Sequence, residues 1–111
     1  MAYDEELAGR VRTLVAGEPG LSEKKMFGGL AFLIGGNMAV AASGQGGLLV
    51  RVDPATSDVL VADSHARPAE MRGRMMAGWL RVDTEHLEAP GPLSDWVERG
   101  VSFAHSLPQK P

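Results

Sequence analysis

The sequence predicts an α+β domain of two layers, an antiparallel sheet of about five strands with helices in the order α-β-β-β-α-β-β-α. Three observations carry this reading. The stretch from Lys24 to Arg51 holds short apolar runs separated by Gly35-Gly36-Asn37 and Gly44-Gln45-Gly46-Gly47, where tight hairpins need positive φ. The segments on either side of the strand region repeat their apolar residues at helical spacing instead. No strand–helix–strand unit shows the strong buried pattern of a parallel sheet, so a doubly wound fold is not expected.

The first helix begins at Asp4, a capping residue, with Glu5 and Glu6 in the turn where the helix dipole favours negative charge. Leu7, Val11, Leu14 and Val15 then form one apolar stripe, and Gly17 with Pro19-Gly20 ends the helix. The meander follows, with strands expected over about Met26–Ile34, Met38–Ala42 and Leu48–Val52. The small residues Ala39, Ala41 and Ala42 suit a central strand on which a helix lies close.

Asp53-Pro54 starts a short helix carrying Ala55, Val59, Leu60 and Ala62 and stopping near Asp63. The segment 64–74 reads as a loop running into an edge strand over 69–74, and Ala77–Val82 as a further strand with Trp79 and Leu80 on opposite faces. After Ala89-Pro90-Gly91-Pro92 the last helix is expected from Leu93 to Leu107. Its seam of Leu93, Val97, Gly100, Val101 and Ala104 is widened by Trp96, Phe103 and Leu107, which implies burial on more than one side. Residues 106–111 read as a frayed tail.

With 111 residues, 44% hydrophobic and 23% charged, the chain suits one domain over residues 1–111. It has no cysteine, which excludes disulfides, thiolate metal sites and cysteine nucleophiles. Acidic residues stand where a secretory leader would be basic, and the longest apolar stretch, Leu30 to Ile34, is far too short to span a membrane. The expectation is a cytoplasmic protein. A net charge of -3 argues against a dedicated nucleic-acid binder.

Recognisable chemistry is absent. Phosphate loops need glycines ahead of a helix N-terminus, whereas Gly28-Gly29 and Gly35-Gly36 flank strands. His65, His86 and His105 lack the close spacing of metal ligands, and there is no Gly-x-Ser-x-Gly elbow around a serine. No catalytic residue, metal or cofactor is therefore expected. Met71, Met75 and Met76 read either as an adaptable contact surface or as gap-filling core, with Met76 beneath Trp79. The polar set of most interest is Lys24, Lys25, Arg67, Arg72 and Arg74, a candidate interaction patch if the two segments meet. The alternative is ordinary protection of edge strands by charge.

Lys24-Lys25-Met26-Phe27-Gly28-Gly29, then Phe32, Gly36-Asn37-Met38, Leu49-Val50-Arg51-Val52 and Met76-Ala77-Gly78-Trp79 with Val82 together resemble the TfoX N-terminal-domain family. The resemblance covers nearly the whole chain and implies the same two-layer order of elements. It further implies kinship with the amino-terminal half of the bacterial TfoX/Sxy competence regulators, without transferring any catalytic residue. Phe27, Gly28, Gly29, Gly78 and Trp79 of the shared motif have structural readings: aromatic core, close backbone approach and a bulge.

The functional expectation is a non-enzymatic cytoplasmic interaction module, regulatory in kind, acting on a protein partner or by forming a homodimer. One alternative is a nucleic-acid-associated factor using the lysines and arginines named above. The other is a small-ligand or enzymatic domain with a pocket between the sheet and the last helix, near Trp79 and Trp96.

Overall fold

The computed structural model describes residues 3–26, 28–71 and 73–110. Its elements run α1 (Glu5–Val15), β1 (Leu21–Met26), β2 (Gly29–Ile34), β3 (Asn37–Ala42), β4 (Leu48–Arg51), α2 (Ser57–Asp63), β5 (Arg67–Met71), β6 (Arg74–Val82) and α3 (Pro90–Ser106). Short 3₁₀ turns precede α2 (Pro54–Thr56) and α3 (Thr84–His86). The strands form one six-stranded sheet in the order β1-β2-β3-β4-β6-β5, and every hydrogen-bonded neighbour is antiparallel. The α+β architecture is thus as the sequence predicts, with one strand more than expected. That strand, β1, reads Leu-Ser-Glu-Lys-Lys-Met and buries none of its side chains fully. Its existence depends on backbone pairing to β2, which leaves no apolar periodicity to read.

Apolar side chains of one sheet face meet the helices in a single cluster. Leu30, Phe32 and Ile34 of β2, Val40 and Ala42 of β3, Leu48 and Val50 of β4, and Leu80 and Val82 of β6 belong to it. From α1 come Leu7, Ala8, Val11 and Val15, while Leu14 falls just outside that face and is 42% exposed. The α1 N-terminus is capped as expected, the Asp4 carboxylate accepting from the amides of Glu6 (3.0 Å) and Leu7 (3.1 Å). α3 contributes Leu93, Trp96, Val97, Val101 and Ala104. It begins three residues before the expected Leu93, because Pro90 and Pro92 sit in the first turn, where helical amides have no intrahelical partner to lose.

The closest approach of helix to sheet is at Gly100. A β-carbon there would collide with the carbonyl oxygen of Ala39 and come within 2.8 Å of Val40 Cγ1. Ala39 is itself a bulge: Phe32 pairs with Val40 and Leu33 with Met38, so β3 carries one residue more than β2 at this point. The bulge turns both Ala39 and Val40 into the core.

Gly78 is a second irregular point. At φ +84° it lies in the left-handed region, and a β-carbon there would stand 2.8 Å from the Val52 carbonyl oxygen. Its amide donates to Ser57 Oγ (2.8 Å) and its carbonyl accepts from the Val52 amide (2.7 Å), tying β6 to the start of α2 and the end of β4. Across this region three residues of β5, Pro68 to Glu70, face six of β6, Leu80 to Met75. The beginning of β6 runs past the end of β4, and Met75 and Met76 there are 65% and 39% exposed. Met76 is therefore not the gap-filling core residue expected.

The tail after α3 is docked rather than frayed. The Lys110 amide donates to the Gly35 carbonyl (2.8 Å), and the buried Asn37 side chain donates to the Pro108 carbonyl (2.9 Å). A side chain on Gly35 or Gly36 would strike Gln109 or Lys110, so the glycines that make the β2–β3 turn also make its docking site.

Candidate functional site: the open face of the sheet

The two clusters of basic residues do not meet. Lys24 and Lys25 lie on β1, one outer strand, and Arg67 lies on β5, the other, with four strands between them. Arg74 opens β6 beside β5, and Arg72 lies outside the described residues, as does Phe27. The expected single patch is replaced by two separate edges, because residues close to a strand end in sequence were assigned to strands that the topology places farthest apart.

Several other cations are engaged locally. Arg67 pairs with Asp83 Oδ1 at 2.7 Å. Arg81 holds the β3–β4 turn through Ser43 Oγ (3.2 Å), Gln45 Oε1 (3.1 Å) and the Gly46 carbonyl (2.8 Å). The guanidinium carbon of Arg51 stands 5.1 Å from the Trp79 ring centroid and 5.7 Å from that of Phe103, so the half-buried Trp79 stacks against a cation at the end of β4.

Arg12 forks onto Glu23 at 2.8 and 3.0 Å. This hydrogen bond holds the Glu23 carboxyl below the usual carboxylate range and raises the guanidinium above its ordinary value. Because the folded-state value of Glu23 lies below the unfolded one, the pair contributes fully at neutral pH and is lost as pH falls through the folded value. The pair is exposed, so the effect is small. Glu23→Gln is expected to lower the urea midpoint slightly near pH 7 and by less at acid pH, as protonation of the carboxyl removes the pair. Equal loss at both pH values would show that the residue acts through packing instead.

Of the two concavities among the described residues, Trp79 lines neither and Trp96 lines the smaller. The larger lies between α2 and α3, about 700 Å³, with Thr56, Leu60, Ser102 and Phe103 among its walls and Asp53, Asp95, Glu98 and Arg99 supplying its charges. No histidine lines it. A neighbouring depression of about 450 Å³ contains His65 and His86, whose rings stack in parallel with centroids 3.9 Å apart. Ring nitrogens in parallel planes aim their lone pairs side by side rather than at one point, and no group of three metal-ligating side chains occurs among the described residues. His105 Nε2 meets Glu18 Oε1 at 2.9 Å, at the end of α3.

The feature that sequence reasoning passed over is the other face of the sheet. Direct cross-strand partners share a face, and the pairings Lys24–Ala31, Ala31–Ala41, Ala41–Leu49, Leu49–Arg81 and Arg81–Arg67 form one row across all six strands. The adjacent row, Phe32–Val40–Val50–Leu80, is the helix-covered core, so this row points away from the helices. Its centre is apolar: Ala31 and Ala41 are buried between their neighbours, Leu49 is half-buried, and Leu33 and Met38 beside them are half-buried too. The signal was present in the sequence as missing alternation. A strand with one wet face should alternate, whereas β2 and most of β3 are apolar at consecutive positions.

The motif glycines are placed by close approach. A β-carbon on Gly29 would stand 2.5 Å from the Ala42 carbonyl oxygen, and Gly28 has φ +78°. Among the described residues no helix is long and apolar enough to cross a membrane. Comparison with characterised proteins gave no match. A family profile described as the TfoX N-terminal domain matches residues 13–104, from the last turn of α1 to near the end of α3 and so through all six strands. The chain belongs to the TfoX N-terminal domain family.

Proposed function

We propose that this chain is a non-enzymatic, cytoplasmic contact module of the competence-regulator kind, working by protein contact through the open face of its sheet. The family match supports a competence-regulator-like domain. The observation that carries the mode of action is that β2 and β3 are apolar on both faces while the helices cover one. Strands with two apolar faces belong to sheets with a layer on each side. The α2–α3 groove is a weaker candidate: the Ser106 hydroxyl in its wall donates to the Phe103 carbonyl oxygen rather than to one of the groove's carboxylates.

The test is association. The purified chain is expected to form a complex, with itself or with a protein from its native cell, that Leu49→Glu dissolves while the thermal midpoint falls by no more than a few degrees. Association unaffected by Leu49→Glu, or a strictly monomeric chain with no partner, would defeat the reading.

A further inference from the structure

The geometry points to the occupant of this face: an amphipathic α-helix of a partner protein, apolar along its middle and acidic along both flanks. The inference rests on the reading of the open face as a contact surface and adds the chemistry of what it contacts.

The argument is one of width and charge. The apolar floor is three strands wide, β2 to β4, carrying Ala31, Ala41 and Leu49 in register, about 10 Å from side to side at the usual strand spacing. A helix with its side chains is roughly 10–12 Å across. The two alanines at the centre let its axis settle low, with nothing larger to hold it off. Either side of the floor is cationic. Lys24 stands exposed on β1, and Arg81 stands on β6 with Arg67 directly opposite it on β5. From β1 to β6 is four strand spacings, about 19 Å, which a helix with outward-reaching glutamates on both flanks can span.

Two arginines in direct cross-strand register repel each other, and such pairs cost stability unless an anion joins them. Asp83 answers Arg67, but among the described residues Arg81 bonds only neutral oxygens, so its charge is left to attract another anion. These cationic borders belong to a chain whose net charge is -3. A second copy would set the same lysine and arginines against themselves, and duplex nucleic acid would find an apolar floor with no donor for its phosphates. An acidic helix satisfies both floor and borders.

The probes are three fluorescein-labelled synthetic peptides of about 18 residues, roughly 27 Å as helices, sharing one leucine-alanine face and differing only in flanks of glutamate, glutamine or lysine. Each is titrated by anisotropy against the full chain and against Lys24→Glu and Leu49→Glu, with circular dichroism checking that every variant is folded. The glutamate peptide is expected to bind about tenfold or more tighter than the lysine peptide, a difference that shrinks in high salt. Lys24→Glu, an exposed change, is expected to narrow or invert that preference, and Leu49→Glu to weaken all three peptides.

Equal binding of the three peptides overturns the acidic helix while leaving the face as a contact surface. Peptide binding insensitive to Leu49→Glu overturns the face itself, and with it the proposed function. Failure of every peptide to bind overturns the inference. So does sedimentation showing a dimer that Leu49→Glu dissolves, or displacement of the glutamate peptide by duplex DNA.

Discussion

Gly100→Ala is expected to destabilise the protein by about 2–3 kcal/mol, the range of an overpacked core, and to lower the thermal midpoint by roughly 10 °C. Two effects compete. Alanine is the better helix former by about 1 kcal/mol, and at an unobstructed site that gain decides the outcome. At Gly100 the added carbon enters the Ala39 carbonyl oxygen and stands 2.8 Å from Val40 Cγ1. The obstruction is backbone held in a bulge, so neither partner yields, and α3 must lift from β3. Gly9 in α1 provides the control, because a β-carbon there meets nothing within 4 Å. Gly9→Ala should stabilise by about 1 kcal/mol. The same substitution thus takes opposite signs on two helices, measured by chemical denaturation; two changes of like sign would refute the packing at Gly100.

Phe32→Ala is expected to cost about 3–5 kcal/mol, a large share of the roughly 5–15 kcal/mol by which a domain of this kind is stable. Phe32 is fully buried at the centre of the core row, flanked by Val40 across the strand pair. The space left is bounded by the sheet and by α3, whose close contact at Gly100 prevents the helix from sinking to fill it. Phe32→Leu should recover most of the loss, since much of the volume is restored. If Phe32→Ala were nearly silent in denaturant melts, the helix layer would not rest on this row.

Each of these effects is local packing, and the positions were only partly legible beforehand. Gly100 could be placed on the α3 seam from its spacing, but its collision with Ala39 depends on a bulge that no run of residues announces. β1 was missed because Ser22, Glu23, Lys24 and Lys25 are exposed, so nothing about them alternates between wet and dry. The sequence places the start of α3 at Leu93, after Pro90 and Pro92, whereas the helix begins at Pro90 because a first turn tolerates proline. Methionine composition points Met76 inward, whereas β6 overruns β4 and leaves it exposed.

The open face of the sheet illustrates the same division. Every residue of the row from Lys24 to Arg67 was visible as a letter, and Lys24 and Arg67 were singled out, but as members of one patch. Strand order, which depends on long-range pairing, put them at opposite edges and made an apolar floor of what lies between.

The amino-acid sequence by itself determined the two-layer α+β class, the helix caps, the glycine-made hairpins and the family, because each is set by residues near one another along the chain. The tertiary structure alone decided which strand lies at which edge, where the helices press closest and which sheet face stays uncovered. Those depend on contacts between distant segments, whose free energy is realised only when the sheet has closed and the helices have chosen a side.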